Sequence, residues 1–137
     1  MMHSSIVLLY TGLHALLLTA ISWNVVRLRQ RHQVGIGTGS VAALERAVRV
    51  QANFCEYVPL ALLLLALIEF GTNVPAWALH VLGVALLVGR VAHAVGLGRS
   101  AGATRARVLG TLATWIVLLL AAVVAVVASA FAAAGGG

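Results

Sequence analysis

The chain has 137 residues, of which 62% are hydrophobic and 9% charged, with a mean hydropathy of +1.06. Ordinary globular chains are about 25% charged, so a soluble single domain is excluded. The net charge of +6 comes from Arg against Glu, with no Lys and no Asp.

The apolar residues come in runs near the roughly 20 that span hydrocarbon as a helix. They are rich in Leu, Val and Ala and do not alternate with polar residues, which argues against a transmembrane β-barrel. The first span is predicted over about residues 6–26. The start at Met1 lacks a basic region and no convincing cleavage site follows, so a retained helix is expected rather than a signal peptide. Arg27, Arg29 and Arg31 follow this span, and Gly35 to Ser40 reads as a flexible loop. The second helix covers about 41–70. A short turn with Pro75 at a helix start leads to the third, about 76–95. A Gly-containing loop from Gly96 to about Thr104 leads to the fourth, about 107–132. Residues 133–137 read as a flexible tail.

This order predicts an all-α integral membrane protein, a single four-helix up-down bundle with short connections. The arginines set its orientation. They follow the first span and the third (Arg99, Arg105, Arg107), whereas the termini carry no Arg or Lys. The positive-inside rule puts both Arg-rich loops in the cytoplasm and both termini outside. Arginines placed beside spans also speak against a nucleic-acid partner. The single Cys55 excludes an internal disulfide framework and any multi-Cys metal site, and it reads as a small packing residue.

The second helix carries charge into the membrane. Its uncharged part, Tyr57 to Ile68, is too short to cross about 30 Å of hydrocarbon. Either the span begins near Val50, which puts Asn53 and Glu56 within the bilayer, or the helix overshoots the membrane by two or three turns. Arg46, Arg49, Asn53, Glu56 and Tyr57 share one stripe at helical spacing, and Gln51 points roughly the other way. Charged groups in spans normally face a bundle interior or a water-filled cavity. An Arg49–Glu56 clasp that only fixes packing is the alternative. On the third helix Arg90 and His93 stand one turn apart. Arg90 alone would be explained by a head group snorkelling to the interface.

The string Glu45-Arg46-Ala47-Val48-Arg49-Val50-Gln51-Ala52-Asn53-Phe54-Cys55-Glu56-Tyr57-Val58-Pro59 resembles the signature of the MAPEG family, the membrane-associated proteins in eicosanoid and glutathione metabolism. Val26 to Arg29, Gly89 to His93 and Ala113-Thr114-Trp115 add to the resemblance, the last to short bacterial members. It implies a homotrimer in a bacterial inner membrane that takes glutathione as cosubstrate between subunits, without a metal, and conjugates or reduces a small lipophilic electrophile. Carried over by motif, Arg49, Gln51, Asn53, Glu56 and Tyr57 would bind glutathione. Arg27, Arg90 and His93 match positions that contact it in some relatives. Arg105 or Arg107 would match the residue that stabilises the thiolate. The pattern departs at Leu97, where several relatives carry Tyr, and this argues against the eicosanoid-synthase activities. A non-catalytic lipid-binding scaffold and a small multidrug transporter are the rival readings. The transporter is weakened because the first span has no acidic residue.

Overall fold

A computed structural model describes residues 5–135. It contains four α-helices: α1 (Ile6–His32), α2 (Ala42–Gly71), α3 (Ala76–Arg99) and α4 (Arg105–Gly135). All four are long and apolar enough to cross a membrane. No strand occurs among the described residues.

The helices run past the sequence-predicted spans because hydrophobicity marks the bilayer, not the end of helical hydrogen bonding. Helix α1 continues through Arg27, Arg29 and Arg31 to His32. Gln33, in the left-handed region at φ 56°, terminates it by donating its N–H to Arg29 and Gln30 carbonyls. Gly96 to Arg99, expected in a loop, form the last turn of α3. Residues 133–135, expected in a flexible tail, are helical, and 136–137 lie outside the described residues. Helix α2 has 30 residues, hence a length of about 45 Å. It overshoots about 30 Å of hydrocarbon, so its Arg-bearing first turns stand beyond the apolar layer. The Gly-rich connection after α1 is gathered by one side chain: Arg29 Nη1 donates to the carbonyls of Gly35 (3.2 Å) and Gly37 (2.9 Å).

Helices α2 and α3 form the central pair. Helix α1 packs on one side of the pair and α4 on the other, and the backbones of α1 and α4 do not approach closely among the described residues. The bundle is therefore a flattened rhombus, not a square. Layers of apolar side chains fill it: Val7, Leu65, Ile68, Leu79 and Ala121 at one end, then Ala61, Leu86 and Val117, then Ile21, Val50, Phe54, Val58 and Leu97.

Helices α3 and α4 approach closely because glycine faces glycine. A Cβ on Gly110 would run into the Gly89 carbonyl and the His93 backbone. One on Gly96 would meet the Arg107 backbone and the Thr104 hydroxyl. This crossing sets the spacing between His93 on α3 and Arg107 on α4.

At the opposite end, the first turn of α1 contains no acidic residue. Ser5 caps it by accepting from the Leu8 N–H (3.2 Å), and α2 adds Glu69, which accepts from the Ser5 hydroxyl (2.7 Å) and from the Ile6 (2.5 Å) and Val7 (3.1 Å) N–H groups. A carboxylate satisfies the orphan donors there and complements the positive end of the helix dipole.

Candidate functional site

The C-termini of α1 and α3 and the N-termini of α2 and α4 lie at one end of the bundle. Every arginine except Arg90 is in these end turns or the connections beside them. The bundle opens there into a cleft of about 280 Å³. Helix α2 contributes Ala42, Glu45, Arg46, Arg49 and Asn53, and α3 contributes His93 and Leu97. Ala101 lines it from the connection, and Arg107 from α4. The mouth is polar and open, with Glu45 and Arg49 exposed, whereas His93 and Leu97 are buried.

Arg90 lies beneath the cleft and is only 2% exposed. It does not snorkel. Its Nη1 donates to Asn53 Oδ1 across 2.8 Å, and its Nη2 donates to the Gly110 carbonyl across 3.2 Å. Its guanidinium carbon lies 5.9 Å from the centre of the Tyr57 ring, within cation–π range. One side chain thus ties α3 to α2 and α4. It also fixes the amide of Asn53: with the oxygen held by Arg90, the NH2 group is the end left to donate.

His93 is 5% exposed. Its Nδ1 lies 3.0 Å from Thr111 Oγ1. Its Nε2, like the Nε of Arg90, is buried without a hydrogen-bond partner among the described residues. Arg107 is half-buried and donates from Nη1 to the Ala101 (3.1 Å) and Gly102 (3.5 Å) carbonyls. It holds the connection beside the cleft while lining the cleft itself.

The other sequence-derived candidates stand apart. Gln51 donates to the Ser22 hydroxyl of α1 at 2.8 Å. Arg27 is exposed and bonded to Asn24 (3.1 Å). Arg105 and Glu56 are exposed and do not line the cleft. Cys55 is exposed too; it is not the buried packing residue expected, because the buried face of α2 passes through Phe54 and Val58 on either side of it. Glu45 lines the cleft although the sequence reading used it only as part of the motif; its place one turn before Arg49 was the available signal. His14 went unnoticed. It is 1% exposed, bonds through Nδ1 to the Tyr10 carbonyl at 2.7 Å, and lies against Phe54, ring centres 6.0 Å apart. Thr111, which fixes His93, carried no motif signal.

The MAPEG family profile matches residues 7–127. The chain belongs to the MAPEG family. Two curated relatives are similar to it along most of their length: the inner membrane protein YecN of Escherichia coli strain K12 and that of Escherichia coli O6:H1. Each is 39% identical over 111 residues, covering 81% of this chain and 82% of the relative. The family match over residues 7–127 reaches into all four helices and includes every residue of the cleft.

Proposed function

We propose that this MAPEG member is a glutathione-dependent transferase, or peroxidase, that acts on lipophilic electrophiles dissolved in the bilayer. The observation that carries the reading is the convergence of Arg46, Arg49, Asn53, His93 and Arg107 on one cleft at the arginine-rich end. Glutathione has two carboxylates, an ammonium and a thiol. Arg46 and Arg49 suit the carboxylates, because guanidinium groups bond them bidentately. Glu45 suits the ammonium. The NH2 of Asn53, oriented by Arg90, donates to a peptide or carboxylate oxygen. Arg107, deeper in the cleft than Arg49, suits the thiolate through charge and hydrogen bonding. The protein supplies position and electrostatics, and the sulfur supplies the reactivity.

The assembly proposed is a homotrimer in the inner membrane, the location named for the Escherichia coli relatives. The exposed Glu56 and Cys55 on α2 then face a neighbouring subunit, which closes the open side of the cleft. Titration calorimetry of glutathione into the purified protein, with conjugation assayed in the same detergent, tests the reading. Binding at or below millimolar concentration with glutathione-dependent product supports it. No binding at millimolar glutathione rejects it in favour of a scaffold of the same fold. Native mass spectrometry tests the trimer, and a monomer or dimer alone counts against it.

A further inference from the structure

The hydrogen-bond network around His93 fixes which ring nitrogen carries the proton. Thr111 Oγ1 donates to the Arg107 carbonyl across 3.0 Å. A hydroxyl has one hydrogen, so toward His93 the same oxygen is an acceptor. His93 Nδ1 therefore carries the hydrogen and donates it across 3.0 Å. In the neutral ring Nε2 then holds a free lone pair. That atom is buried with no partner among the described residues, and His93 is one of the residues that line the cleft. A buried acceptor with no donor is costly, and one beside a cleft is satisfied once a ligand reaches it with a proton.

Resting on the proposed glutathione reading, we infer that His93 is the general base of this site and takes the thiol proton through Nε2. A free thiol has a pKa near 8.5 and is mostly protonated at neutral pH. Imidazole is the side chain most often placed to take a proton from a reacting group. The step balances. The S–H bond breaks, the proton goes to Nε2, and the sulfur keeps the electron pair. The sulfur then forms a C–S bond to an electrophilic carbon. With an aryl chloride, chloride leaves with the bonding pair, and the imidazolium returns its proton to water through the open mouth. Five other charged groups face the cleft or lie against its floor: Glu45, Arg46 and Arg49 on α2, Arg107 on α4, and Arg90 on α3. Glu45 is the other possible base. It stands at the exposed mouth, away from the buried floor where His93 lies.

The test is the pH profile of kcat for conjugation of chlorodinitrobenzene at saturating glutathione, with glutathione affinity measured by calorimetry. His93→Asn keeps an N–H near the position of Nδ1 for Thr111 and removes the Nε2 lone pair. It should lower kcat at neutral pH by about a hundredfold or more and leave the glutathione Kd within about threefold. The deficit should shrink as pH rises toward 8.5, where the thiol ionises unaided. Thr111→Val removes the acceptor that fixes the tautomer, and it should lower kcat at least about tenfold with little change in Kd. This second variant decides the matter if His93→Asn does not fold. A neutral-pH kcat within twofold of wild type in whichever variants fold, or a profile that follows Glu45→Gln instead, overturns the assignment while leaving glutathione binding intact. Failure of the wild-type protein to bind glutathione overturns the parent reading and this one with it.

Discussion

Arg90 Nη1 lies 2.8 Å from Asn53 Oδ1, which links two residues that the sequence sets 37 positions apart and that the motif reading treated as independent ligands. The bond separates their roles. Asn53 faces the cleft, whereas Arg90 stands behind it and is bound on its other side by the Gly110 carbonyl. Within the proposed function Arg90 is a positioning residue.

Replacing it shows this split. Arg90→Met keeps the length of the side chain and deletes both bonds. Thermal unfolding in detergent should show a loss of about 1.5–3 kcal/mol, the range for hydrogen bonds to charged groups. Arg90→Lys should not restore stability, because an ammonium lacks the planar fork that reaches α2 and α4 together. A Lys variant as stable as wild type would contradict the bridging role.

The glycine crossing makes a second stability prediction. In Gly110→Ala the new Cβ meets backbone atoms of Gly89 and His93, which cannot rotate away. Overpacking of this kind costs about 1–3 kcal/mol. Gly12, on α1, has nothing within 4 Å of an added Cβ, and Gly12→Ala should stabilise by about 0.5–1 kcal/mol through helix propensity. The two melting curves should move in opposite directions. A neutral Gly110→Ala would mean that α3 and α4 are free to separate.

The four helices were legible because bilayer-length apolar runs in an Arg-flanked chain have one solution. Their ends were not, since Arg27 to His32 and Gly96 to Arg99 are helical for reasons of hydrogen bonding that hydropathy does not see. The α2 side of the cleft was also legible: Arg46, Arg49 and Asn53 recur at helical spacing. The α3–α4 side was not. Pairing His93 with Thr111, and choosing between Arg105 and Arg107, depends on the Gly89–Gly110 and Gly96–Arg107 approaches. Those are contacts between helices, and no periodicity within one helix records them. The role of Glu69 was not legible either, because its partners at Ser5, Ile6 and Val7 are more than 60 residues away.

That cap is itself testable. Glu69→Ala removes acceptors from two backbone N–H groups and the Ser5 hydroxyl. Losing capping bonds at a helix N-terminus costs about 0.5–2 kcal/mol, and the Ser5 bond to Leu8 that remains puts this variant toward the lower end. Hydrogen exchange should quicken in the first turn of α1 and stay unchanged around Arg90. Unchanged protection at Ile6 and Val7 would show that the cap does not hold in the membrane.

Orientation follows from the arginine-rich end. Reporter fusions at Gly37 and Gly102 should report cytoplasm, and a fusion at the C-terminus should report the outside. The opposite pattern would reverse the direction in which the cleft opens and remove it from the cytoplasmic glutathione pool.

The cleft also ranks its arginines. Arg49 is exposed at the mouth and lines it. Arg49→Ala should weaken glutathione binding about ten- to a hundredfold, the equivalent of one charge-assisted bond of about 1.5–3 kcal/mol. Arg107 donates to the Ala101 carbonyl and is the one cleft residue from α4; because it is the proposed partner of the sulfur, its removal should act there more than on the rest of the ligand. In Arg107→Ala, glutathione should still bind, with thiolate absorbance near neutral pH reduced and turnover reduced in parallel, because the cation that favours the ionised form is gone. Arg105, two residues earlier and so on the other side of α4, is exposed and does not line the cleft, and should give wild-type thiolate absorbance when changed to Ala. Thiolate that depends on Arg105 and not on Arg107 would mean that α4 is rotated in the working protein relative to the packing that Gly96 and Gly110 dictate.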